Sequence, residues 1–381
     1  AMRRDREAVR RDTAAPGGRF RVPAAGVVVA LALLTAAAPC QGQEITDLFG
    51  RRFAVAERPR KVFAASPPLT QLLYALDPML PAGLNFPLRE REKPYLHPRL
   101  ATLPVLGGWF GQGHTPNLEM ILKTQPEIVL VPNFRSAYHA KARETIMNTL
   151  PAPVIGVSLA TIHDYPEAIR SLGRLLGRPA RAGELAAYAE KVLADMAAFS
   201  AAIPERAKVS VYYAEGVDGL STECDASMHT ELIPLAGGRN VHRCAAGHGI
   251  GNGYGMEKIA FEQVMAHDPE VILVFEKACH RTLRADPRWQ RIRAVRERRV
   301  YLIPDQPFNW FDRPPSFMRL LGAKWVASRF YPEGFQVDLI RETQDFFRLF
   351  LGVELSAEQA ARLLEREPAE VGKPRDAMQL L

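Results

Sequence analysis

Apolar and polar positions along the chain fall into two copies of one pattern. Residues 118–131 (LEMILKTQPEIVLV) align without a gap on residues 261–274 (FEQVMAHDPEVILV), with Glu119/Glu262, Pro126/Pro269, Glu127/Glu270, Leu130/Leu273 and Val131/Val274 identical. Each copy reads as a short helix, a Pro-containing turn and an unbroken aliphatic run, the pattern of a strand buried on both faces of a parallel sheet. Further strands are expected at 62–65 and 154–157 in the first half and at 209–213 and 300–303 in the second, with helical patterns between them. The predicted fold class is α/β, with two similar lobes each built on a parallel sheet. Between the halves, Pro179 precedes Leu185, Tyr188, Ala189, Val192, Met196 and Phe199 at helical spacing until Pro204 stops the run, which predicts one long helix joining the lobes. After Pro332, Val337, Ile340, Phe346, Phe347 and Phe350 share one helical face, and Ser356 with Gln359 forms a capping box. This section is expected to be a C-terminal helical appendage packed on one lobe. The resulting organisation is a leader at 1–42, a first lobe at 43–160, a helical linker at 161–205, a second lobe at 206–331 and the appendage at 332–381.

Five blocks stand out in order: SPPLTQLLYAL (66–76), PNLEMILKTQPEIVLV (116–131), ELIPLAGGRNV (231–241), FEQVMAHDPEVILV (261–274) and NWFDRPPSF (309–317). Together, over roughly residues 45–330, they resemble the class III substrate-binding proteins of bacterial ABC importers, the group serving ferric siderophores, cobalamin and haem. The chain departs from that pattern at Gln71, where the group often has Glu, at Asp77, where Gly is usual, and in a Cys/His-rich insert at 242–255. The resemblance implies a ligand cleft between the lobes, a rigid connecting helix, little closing motion, and transport without catalysis. It also implies that Glu119 and Glu262 dock onto arginines of an ABC permease dimer in the inner membrane. A carboxylate pair related by an internal repeat suits a two-fold partner, because each lobe meets an equivalent subunit. The protein is expected to act as a monomer and to hold no cofactor, a metal arriving only inside the transported ligand.

Composition narrows the alternatives. A length of 381 residues suits two globular units, and 47% apolar with 24% charged residues is close to the globular average, which argues against disorder and against a polytopic membrane protein. The formal charge of +7 owes +4 to the first 21 residues, and no later basic stretch is interleaved with aromatics, so nucleic-acid binding is not expected. Residues 24–38 form an apolar run behind an Arg-rich head, the layout of a secretory signal, and are too short to span a bilayer. The mature protein is therefore expected in the periplasm or on the extracytoplasmic face. Cys40 is a possible lipid anchor, although Ala37-Ala38-Pro39 before it is a poor acylation motif. An oxidising compartment favours one disulfide, and Cys224 with Cys244 is the nearest pair, leaving Cys279 free.

Candidate ligand contacts lie in segments expected to follow strands, where open α/β sheets hold their ligands. In GGWFGQGH (107–114) the glycines allow close approach, Trp109 and Phe110 offer an aromatic wall, and His114 supplies a donor or metal ligand. Asn309, Trp310 and Arg313 occupy a second such loop. Arg313 is expected either to grip an anionic ligand group through its fork of donors or to pair internally with Asp312 or Glu215. Arg135 is a weaker version of the same contact. Cys224, His229, His242, Cys244 and His248 cluster in sequence without an established zinc spacing. A disulfide with nearby histidines is the first reading of that cluster, and His229 or His248 ligating a metal complex is the second. Residues 247–255 alternate with glycine and read as a mobile loop over the cleft. The chain has no G-x-S-x-G, H-E-x-x-H or Walker A sequence. The rival class, a periplasmic metal-dependent enzyme, would use Cys224, His229, Cys244 and His248.

Overall fold

The computed structural model describes residues 42–109, 115–133, 140–245 and 256–364; the leader, with Cys40, lies outside them. An antiparallel hairpin, β1 (Gly42–Thr46) and β2 (Arg52–Ala56), comes first. The first lobe continues with β3 (Val62–Ala64), α1 (Pro67–Leu76), α2 (Leu118–Thr124), β4 (Ile128–Pro132), α3 (Ala140–Thr149) and β5 (Val154–Val157). Its strands form a parallel sheet in the order β3-β4-β5. The linker holds α4 (Tyr165–Leu175) and α5 (Pro179–Ala202), whose 24 residues extend about 36 Å at the helical rise per residue.

The second lobe comprises β6 (Val209–Ala214), β7 (Ser221–Thr222), α6 (Leu232–Leu235), β8 (Gly238–Asn240), β9 (Glu257–Lys258), α7 (Phe261–His267), β10 (Val271–Val274), α8 (Lys277–Ala285), α9 (Arg293–Arg296) and β11 (Val300–Leu302). Its main sheet is parallel in the order β11-β10-β6-β8, and β7 pairs with β9 antiparallel. Then come α10 (Met318–Phe330), α11 (Leu339–Phe346), which runs on as a π-helical turn over Phe347–Leu351, and α12 (Ala357–Leu364).

The repeat is visible in the backbone. Both α2 and α7 end in a left-handed residue, Gln125 at φ 50° and Asp268 at φ 36°, each followed by the shared proline and the buried strand. The identical glutamates that follow do the same structural work. Glu127 accepts from the backbone N–H of Lys61 at 3.0 Å and Glu270 from that of Ser210 at 2.8 Å, so each tethers its strand to the start of the neighbouring one.

Alternation along the strands sorts side chains between two environments. In β4, Ile128 and Leu130 enter a large core, whereas Val129 and Val131 enter a smaller one private to the first lobe. In β10, Val271 and Leu273 enter that same large core, whereas Ile272 and Val274 enter one private to the second lobe. The large core is therefore common to both lobes, and α5 runs through it with Leu185, Ala189, Val192 and Met196.

The C-terminal helices complete this shared core instead of resting on one lobe, which corrects the expectation from sequence. Tyr74 Oη, from α1, donates to Leu351 O at 2.6 Å, and Lys324, from α10, pairs with Glu342 at 2.5 Å. Phe350 stacks on Phe317 and meets the edge of Tyr188 from α5. The physical reason is the apolar stripe itself, whose Phe346, Phe347 and Phe350 need a surface that both lobes supply.

Candidate functional site

On the first lobe, the loop at residues 107–109 is clamped to the C-terminal end of β3. Asn85 Nδ2 donates to Ala64 O at 3.0 Å and Gly107 O at 2.8 Å, and Trp109 N donates to Ala65 O at 3.1 Å. Glycine is required here: Gly107 has φ 73°, and a Cβ on Gly108 would lie 2.5 Å from Ala65 O. Trp109 is half-buried with its ring edge-on to Phe63 at 6.1 Å, so one part of it belongs to the lobe and the rest remains available.

On the second lobe, polar side chains converge beyond the C-terminal ends of β6 and β11. Arg313 donates through Nε to Glu215 at 2.7 Å, pairs through Nη2 with Glu223, and has Asp312 at 3.3 Å. Glu215, Glu223 and Asp312 are all essentially without exposure, whereas the Arg313 side chain keeps 21%. Burial, outweighing the pull of Arg313, pushes the Glu215 carboxyl up to about 7. Burial opposes the charge on Arg313, but Asp312 and Glu215 overcome it and hold the guanidinium above its usual range.

Asp312 is also the partner of His229 Nδ1, and Tyr213 Oη approaches its other oxygen at 3.5 Å. His229 Nε2 has no partner among the described residues, and the side chain keeps 15% exposure. In the neutral imidazole a carboxylate on Nδ1 selects the Nδ1–H tautomer and leaves Nε2 with its lone pair, the arrangement usual behind a metal-bound imidazole. Cys224 and Cys244 form a disulfide beside this cluster, with Thr230 Oγ1 donating to Cys224 O at 2.9 Å. With both sulfurs consumed, a metal-dependent enzyme using those two thiolates loses its ligands. No group of three or more His, Cys, Asp or Glu among the described residues is placed to hold a metal ion.

Other candidates are placed differently from the sequence expectation. Trp310 does not line a cleft: it is fully buried, its Nε1 donates to Gln306 O at 3.0 Å, and a Cβ on Gly322 of α10 would lie 1.7 Å from its carbonyl oxygen. Asn309 is likewise structural, its Oδ1 accepting from Phe311 N and Asp312 N at 2.8 and 2.9 Å. Glu215 is fully buried behind Arg313 and has no exposed surface of its own. His242 is separated from the cluster by its own bond to Glu257 at 2.9 Å, and Cys279 is a buried free thiol. Phe110, His114, Arg135 and His248 lie outside the described residues. Glu119 and Glu262 sit exposed in the first turns of α2 and α7, equivalent positions on the two lobes. Glu223, Glu231 and Arg319 were not singled out from sequence. For Arg319 the signal was available, as a charge interrupting the apolar run FMRLLGA (317–323).

Across the lobe junction Arg91 pairs with Asp305 at 2.8 Å, and Ile162 N, at the start of the linker, donates to Glu231 at 2.6 Å. Comparison with known proteins accords with this architecture. A solute-binding protein of an ABC transporter from Sulfurospirillum deleyianum superposes with a TM-score of 0.77 at 35% identity, covering 85% of this chain and 99% of that one. The molybdate-binding protein MolA of Haemophilus influenzae is 25% identical over 278 residues, 66% of this chain and 74% of MolA. The vitamin B12 binding protein BtuF of Vibrio cholerae shares the fold, with a TM-score of 0.55 at 19% identity over 73% of this chain and 99% of that one. The family model for periplasmic binding proteins matches residues 97–307, more than half of the chain. The chain therefore belongs to the periplasmic binding protein family that serves ABC transporters.

Proposed function

We propose that this protein captures a metal chelate and delivers it to an ABC permease, a ferric siderophore or related iron complex being the first choice and cobalamin the second. The observation that carries this reading is the charge balance of the second-lobe cluster. The Glu223 and Asp312 carboxylates, with the Glu215 carboxyl beside them, surround one guanidinium, so Arg313 is already neutralised and the described surface is poorly suited to a small free oxyanion such as molybdate. His229 Nε2 then takes an exchangeable position on the metal, with Asp312 supporting the imidazole and Trp109 packing on the organic part of the chelate. Glu119 and Glu262 meet the permease.

Titration with a ferric bis-catecholate and with aquacobalamin, whose metals keep exchangeable positions, tests the reading against molybdate. A charge-transfer or corrin band shift on mixing, lost in His229→Ala, is the expected result. Saturable binding of molybdate with no binding of either chelate would overturn it.

A further inference from the structure

Glu231 opens the block at 231–241, and Arg319 follows the block at 309–317 by two residues. The fold brings them together. Arg319 is fully buried at the second position of α10, where a cation opposes the helix dipole and its desolvation is costly unless it is paired. Its neighbours Met318, Leu320 and Leu321 show what the core alone would accept there, since all three are fully buried and apolar.

The guanidinium is used on three acceptors from three places. Nε donates to Phe311 O at 3.2 Å, Nη2 donates to Met228 O at 3.0 Å, and Nη2 pairs with Glu231 Oε1 at 2.5 Å. Phe311 and Met228 are the residues immediately before Asp312 and His229. The same Glu231 oxygen accepts from Ile162 N at 2.6 Å, in the turn leading to α4. One rigid, planar group thus braces both loops of the His229–Asp312 pair and connects them to the linker.

We infer that Arg319, tied down by Glu231, is the positioning residue of the binding site, setting His229 against Asp312 without touching ligand. This rests on the chelate reading insofar as binding through His229 is one of its readouts.

The experiment uses the full chain. Arg319→Lys keeps a cation opposite Glu231, but one ammonium cannot replace a fork that reaches carbonyls on two loops. Its affinity for a ferric bis-catecholate is expected to fall about ten-fold, the usual scale for disturbing the support of a metal-binding histidine. In ¹⁵N NMR of the ligand-free protein, the His229 ring is expected to lose its single Nδ1–H tautomer. Glu231→Gln, which keeps an oxygen for Ile162 N but removes the charge, should shift both readouts the same way, and it decides the matter if Arg319→Lys does not fold. Leu320→Ala destabilises the same helix from the shared core and should leave both readouts unchanged. The inference is overturned if Arg319→Lys binds within two-fold of wild type with the tautomer intact, or if Leu320→Ala reproduces both changes. The NMR arm needs no ligand, so a wild type that binds no chelate defeats the chelate reading while the imidazole still decides the positioning role.

Discussion

Opening the Cys224–Cys244 bridge tests how the second-lobe site is held. The bridge closes a sequence separation of 20 residues that contains His229, Glu231, α6 and β8. In the chain-entropy treatment a loop of that size constrains the unfolded chain by about 3.3 kcal/mol at 25 °C. The two lobes share one core, so a single cooperative transition is expected, and at about 2.1 cal/mol/K per residue the described residues unfold with an entropy of about 0.6 kcal/mol/K. The double variant Cys224→Ala/Cys244→Ala should therefore melt about 5 °C lower than wild type in calorimetry, and reduced wild type should match it. Affinity for the chelate should fall as well, because the bridge anchors the segment carrying His229. Melting within about 1 °C of wild type would refute the reasoning, since it would mean that β8 and α6 already impose the constraint. Two separate transitions would refute the shared core.

Replacing Glu119 and Glu262 together by Ala should abolish uptake by cells while solution affinity for the chelate stays unchanged, as expected of carboxylates that steer and register a docking partner; normal uptake would remove them from that role. Glu215 has a folded-state value raised to about 7 from 4.5, so the stability it contributes is complete below about pH 4.5 and is lost as pH rises through 7. Between those limits it makes stability fall by up to about 1.4 kcal/mol per pH unit, and Glu215→Gln should flatten that slope in chemical denaturation at pH 5, 6 and 7. Gly322→Ala should cost about 3 kcal/mol or more, because its Cβ would meet Trp310 O at 1.7 Å and α10 would have to move; a loss under about 1 kcal/mol would mean that the loop holding Trp310 yields easily.

The repeat was legible because it is written in features that depend only on neighbours in sequence. A short helix, a turn before proline and an unbroken aliphatic strand specify themselves, and the turn geometry at Gln125 and Asp268 follows. The function of Glu127 and Glu270 was not legible, because their partners Lys61 and Ser210 are distant in sequence and adjacent only in the sheet. Trp310 shows the opposite failure. An aromatic in a polar loop has the composition of a binding wall, but the fold buries the Trp310 ring and packs Gly322 of α10 against its backbone carbonyl. Asn309 likewise offers the same amide to a ligand or to its own backbone, and the loop's curvature selects the backbone. Arg313 was readable as either a ligand grip or an internal partner; the fold makes it internal on one side and leaves it partly exposed on the other.

The shared core constrains how an occupied site can be signalled. Swinging one lobe away from the other would separate residues such as Leu130, Val211, Leu273 and Phe350, which belong to one continuous cluster. At about 25 cal/mol per Å² of apolar surface, exposing roughly 400 Å² costs about 10 kcal/mol. A ligand shifts a conformational equilibrium only by its difference in affinity for the two states, and few ligands supply a difference of that size. Large closure is therefore the expensive route, and the loops beyond the strand ends are the inexpensive one. Across the junction Arg91 pairs with Asp305, and Ile162, at the start of the linker, with Glu231. Glu231 is also where Arg319, and through it the backbone beside His229 and Asp312, is attached. Among the described residues, this chain of polar contacts links the backbone beside the imidazole to the linker.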